Sequence, residues 1–93
     1  MKKQHNTTSR QMSTAPKNAV YIWPNAMLNC PLGIAKSLNR NDLTIIPKER
    51  VTREFFMGRE FNDVVIDHAT VLTGRQRAII LESKVRARLR AES

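Results

Sequence analysis

Apolar residues come in short runs divided by polar and turn-forming stretches, and the runs alternate between strand and helix spacing. Asn18 to Trp23 (Asn-Ala-Val-Tyr-Ile-Trp) is rich in β-formers and stops at Pro24-Asn25, which predicts a first strand. Cys30, Ile34 and Leu38 recur every fourth residue with Ala35 alongside, and Pro31 suits the first position of a helix. That short helix ends at Asn39-Arg40-Asn41-Asp42. Leu43 to Ile46 is a second strand closed by Pro47. Residues 48–57 read as a helix with Val51, Phe55 and Phe56 inward, broken by Gly58 at its C-terminus. Asp63 to Asp67 is a third strand whose unbroken apolar centre predicts burial on both faces. Thr73 can cap a last helix from Gly74 to about Ala91, with Ala78, Leu81, Val85 and Leu89 as the apolar stripe that packs on the sheet.

The order β-α-β-α-β-α predicts a small α/β domain of two or three layers, built on a three-stranded parallel sheet with right-handed crossovers. Leu72-Thr73 followed by Arg75-Gln76 also looks like the opening of a bacterial helix-turn-helix domain. Such domains need two more helices afterwards, and only one follows here. Residues 1–17 hold almost nothing apolar and end near Pro16, so they are expected to form a disordered basic tail ahead of a single domain over 18–93.

Composition narrows the class. Ninety-three residues support one modest core, and 41% hydrophobic with 5% aromatic residues makes that core aliphatic. The one cysteine, Cys30, permits neither an intrachain disulfide nor a multi-cysteine zinc site, and fits a reducing, cytoplasmic setting. Met1-Lys2-Lys3 resembles a signal-peptide start, but the polar Gln4 to Thr8 follows instead of an apolar stretch. No apolar run approaches the roughly 20 residues of a membrane helix, so no membrane association is expected.

Charge adds more when it is divided along the chain. The net charge is +8. Residues 1–17 carry Lys2, Lys3, Arg10 and Lys17 with no acid. Residues 75–93 carry Arg75, Arg77, Lys84, Arg86, Arg88 and Arg90 against Glu82 and Glu92. The stretch between them is neutral, so all the excess lies at the ends. This layout points to an acidic partner, either nucleic acid or an acidic protein surface, with Lys2, Lys3 and the six cations of the last helix as contacts. The low aromatic content argues against reading single strands by base stacking. A homodimer stays open.

The most specific stretch runs from Gly58 to Gln76: Gly58-Arg59, the apolar strand, Asp67-His68-Ala69, then Leu72-Thr73 and Gln76. It resembles the Walker B region of P-loop ATPases of the helicase, PhoH-like and phage terminase type. The resemblance covers about a fifth of the chain and implies a magnesium-binding role for Asp67. His68 stands where that family has its water-polarising glutamate. The loop after the first strand, Pro24 to Pro31, has neither the glycines nor the lysine that cradle phosphate. ATP hydrolysis is therefore not expected, and neither a bound cofactor nor a metal is expected. Asp67-His68 could hold a divalent metal or relay a proton at a strand end, although a capping aspartate beside a surface histidine is the simpler reading. Cys30 at a helix N-terminus could be an activated thiol, although it reads more simply as part of the core stripe. Two functions follow. One is a non-enzymatic accessory module that binds nucleic acid or a nucleic-acid-processing machine. The other is a phage or mobile-element inhibitor that engages an acidic surface of a host protein.

Overall fold

The computed structural model describes residues 2–92, with side chains from 7 to 90. Its elements are α1 (Lys2–Thr14), β1 (Val20–Trp23), α2 (Asn29–Ser37), β2 (Thr44–Pro47), a 3₁₀ turn (Lys48–Arg50), α3 (Arg53–Phe56), β3 (Val64–Ile66) and α4 (Gly74–Glu92). The three strands are parallel in the order β2-β1-β3, with Val20 level with Thr44 on one side and Val64 on the other. This is the small α/β domain that the alternation of elements predicts.

Successive side chains on a strand point to opposite faces, and the central strand β1 is buried on both. Val20 and Ile22 join Ile46, Val64, Phe56, Ile79 and Ile80 on one face, under α3 and α4. Tyr21 joins Ile45, Ala35, Leu43 and Met12 on the other, under α1 and α2. The layers are therefore helix, sheet, helix. The edge strands carry their own protection. β2 ends in Pro47, which has no N–H to offer a neighbour. At β3 the Gln11 amide donates to the Ile66 carbonyl at 3.1 Å and accepts from the His68 N–H at 2.8 Å.

Four expectations need correction. Where residues 1–17 were expected to be a disordered tail, Lys2–Thr14 is helical and part of the core. Its one large apolar side chain, Met12, is fully buried, and Ala15 and Thr8 are buried beside it. A single methionine does not register as a stripe, and polar side chains anchor the rest of the helix. Cys30 is exposed rather than a core residue. Pro31 and Ala35 are the buried residues of α2, and Ile34 and Leu38 of the expected stripe are half-buried against the same core. The expected helix over 48–57 is split at Val51–Thr52, which are extended, because the Thr52 hydroxyl caps α3 by accepting from the Phe55 N–H at 3.2 Å. Gly58 does end that segment, with φ +72.

The last correction matters most. Leu81, Val85 and Leu89 do not pack on the sheet; they are 64%, 50% and 61% exposed. The buried side of α4 is Ile79, Ile80, Ser83 and Ala87. Small residues let the helix come close to the sheet, while the Phe56 and Phe61 rings, 5.5 Å apart, supply the bulk beneath. The Ser83 hydroxyl satisfies itself on the Ile79 carbonyl at 2.8 Å. Thr73 caps α4 as expected, in a reciprocal pair: the Gln76 N–H donates to its hydroxyl and the Gln76 side-chain carbonyl accepts from its N–H.

Candidate functional site

Two regions bring together the residues that sequence singles out. The first is the carboxyl end of the sheet. β1 leads into α2 on one face and β3 leads into α4 on the other, which leaves a crevice between their ends. It is lined by Trp23, Cys30, Ile34, Thr8, Asp67 and His68, with a volume of about 250 Å³. That is below the roughly 300 Å³ at which ligand pockets begin.

Asp67 lies at the floor, 1% exposed. Its Oδ1 accepts from the Tyr21 hydroxyl at 2.6 Å and from the Thr8 hydroxyl at 3.1 Å. Its Oδ2 accepts from the Ala69 N–H at 3.1 Å, and the Asp67 carbonyl accepts from the Thr70 N–H at 2.9 Å, closing the turn after β3. With the Thr8 proton committed to Asp67, His68 Nε2 at 3.3 Å is placed to donate to the Thr8 oxygen. Burial first, then the hydrogen bond and charge of Asp67, push the Tyr21 phenol far above the usual tyrosine range. The arrangement is a buried network that ties α1 to both strands, with the capping task foreseen for Asp67 as one part of it. Among the described residues no cluster of three His, Cys, Asp or Glu side chains is set to hold a metal ion.

Arg40 forms the second anchor of α1. Asn39 takes a left-handed φ of 59 at the end of α2, with the Arg40 N–H on the Ala35 carbonyl and the Asn39 N–H on the Lys36 carbonyl. That turn aims the Arg40 guanidinium at the C-terminal end of α1, where it donates to the Met12 carbonyl at 2.6 Å and, just beyond the helix, to the Pro16 carbonyl at 3.1 Å. Asp42 grips the same guanidinium with both oxygens, at 3.0 and 2.9 Å. The Arg40 hydrogen bond, joined by one from the Asn18 N–H, holds the Asp42 carboxyl well below its ordinary range.

The second region is the outward side of α4. At 100° per residue, Ala78, Leu81, Val85 and Leu89 fall within an arc of about 80° opposite the buried side. Leu81, Val85 and Leu89 line a shallow apolar groove with Glu82 and Arg86 along one edge. Arg77 and Arg88 flank the other edge, and Arg75 lies with Arg86; all four are exposed. Lys84 is held by Asp63 at 3.8 Å, and Arg90 lies 3.5 Å from the Arg59 carbonyl. Glu82, the acid on these flanks among the described residues, is turned to Arg53 at 3.1 Å. The expected cations thus cluster on one element. Lys2 and Lys3 fall in the first turn of α1, and their side chains lie outside the described residues.

Sequence reasoning missed Thr8, Gln11, Tyr21 and Arg40. The one available signal was Arg40-x-Asp42 after a helix-ending asparagine. Among the described residues no helix is long and apolar enough to cross a membrane. No protein-family model, curated protein or solved structure matches the chain.

Proposed function

We propose that this domain is a non-enzymatic docking module that binds an acidic macromolecule, nucleic acid or a protein surface of a nucleic-acid-processing machine, through α4. The observation that carries the reading is the set of exposed arginines Arg75, Arg77, Arg86 and Arg88 on the outward half of one helix, in a chain of net charge +8. Their stems need no core contact, so the charges are available for a partner. The non-catalytic part is supported by Asp67, whose two oxygens are occupied by Tyr21, Thr8 and a backbone N–H. A carboxylate so committed has little left for a magnesium ion.

The test is fluorescence anisotropy with labelled duplex DNA and labelled polyglutamate at low salt. The wild type should bind at least one of them, and a variant with Arg77, Arg86 and Arg88 changed to Gln should bind it more weakly. Equal binding by the two proteins would remove α4 from the account. A second reading, an inhibitor that covers an acidic patch of a host protein, is favoured by the apolar groove between the arginines.

A further inference from the structure

The apolar ridge of α4 has no use in a contact made by charge alone. Leu81, Val85 and Leu89 are each at least half exposed, on the side of the helix opposite the sheet. A 19-residue helix is about 28 Å long, and the ridge from Ala78 to Leu89 takes up three of its turns. Spacing of three and four residues is that of a seam which receives a second helix.

The flanks decide what kind of helix. Arg77 and Arg88 border one edge, and Arg75 and Arg86 the other. Glu82 is engaged by Arg53 through two hydrogen bonds. Two copies of α4 laid ridge to ridge would set arginine against arginine in either direction, which opposes self-pairing. A phosphate backbone would satisfy the arginines and leave three aliphatic side chains facing charge and water. A helix with apolar residues on one side and acidic residues at its margins satisfies both parts of the face.

We infer that the outer face of α4 seats an acidic amphipathic helix of a partner protein, an assignment that rests on the docking reading above and narrows its partner to one class.

The experiment uses the full chain and three probes: a synthetic peptide of about three heptads with Leu at a and d and Glu at e and g, the same peptide with every Leu replaced by Gln, and duplex DNA. Two variants accompany the wild type, one with Leu81, Val85 and Leu89 changed to Gln and one with Arg77, Arg86 and Arg88 changed to Gln. Circular dichroism should show both variants folded, since none of the six side chains is buried. The leucine peptide should bind the wild type, and the Leu-free peptide about tenfold more weakly or not at all. Each variant should lose about tenfold or more toward the leucine peptide. Equal binding of the two peptides, or leucine-peptide binding unchanged in the ridge variant, would overturn the assignment while leaving the docking role standing. So would wild-type self-association that the ridge variant abolishes, since the ridge would then belong to a second copy. If the arginine variant binds every probe as the wild type does, the docking reading itself fails.

Discussion

Tyr21 and Asp67 show how one polar contact can decide the stability of a small domain. Changing Tyr21 to Phe leaves the ring in place but strips Asp67 of its shortest hydrogen bond, 2.6 Å in a buried site. The expected loss is about 1–3 kcal/mol, a sizeable part of a total near 5–15 kcal/mol, read as a fall in the urea midpoint. The folded-state pKa of Tyr21 is raised, so its contribution is complete below the unfolded value of about 10 and fades as pH rises above it. As the chain has one tyrosine, its ionisation can be followed at 295 nm. Absorbance should rise together with loss of helix signal; a tyrosine that titrates near pH 10 with the fold intact would refute the buried bond. Asp42 works in the opposite sense. Its folded pKa is depressed, so its contribution is present above about pH 4, the unfolded value, and is lost as pH falls below it. Asp42→Asn should therefore lower the melting temperature at neutral pH and flatten its decline in acid; an unchanged acid limb would show that the Arg40 clasp carries little.

Helices α1 and α4 are where sequence and structure part company. The strands were legible because Val, Ile and Pro mark them without help from neighbours, and Thr73 and Gly58 punctuate correctly because capping is local chemistry. α1 was not legible, because its hold on the body is one methionine and a set of polar bonds made by Thr8, Gln11 and Arg40 between residues 24 to 60 positions apart. A chain starting at Asn18 would uncover Tyr21, Ala35 and Ile45, so it should lose cooperative thermal unfolding or precipitate. A truncated protein with wild-type melting would show that α1 is dispensable. α4 offers two apolar stripes, and by periodicity alone the larger reads as the core face. Packing prefers the smaller, because the phenylalanines already fill the space beneath. It follows that Leu81→Asp should leave the domain folded, whereas Ile80→Asp, at 3% exposure, should unfold it. The reverse pattern in circular dichroism melts would mean that α4 is rotated by half a turn.

On the scale of the whole molecule, the sheet and its two helical layers hold one long helix by its inner side and leave its outer side to solvent. In the proposed docking role, positive charge on that outer side would draw in an acidic partner and the ridge would discriminate among such partners. The first part can be measured separately from the second through its dependence on salt. The most direct test is the affinity for a duplex DNA probe measured across a series of sodium chloride concentrations, for the wild type and for the Arg77, Arg86, Arg88 to Gln variant. The account predicts a linear fall of log affinity with log salt for the wild type. For the variant it predicts weaker binding and a slope reduced by up to about 0.9 for each phosphate contact removed. Identical lines for the two proteins would contradict it, because the arginines of α4 would then contribute nothing to the attraction.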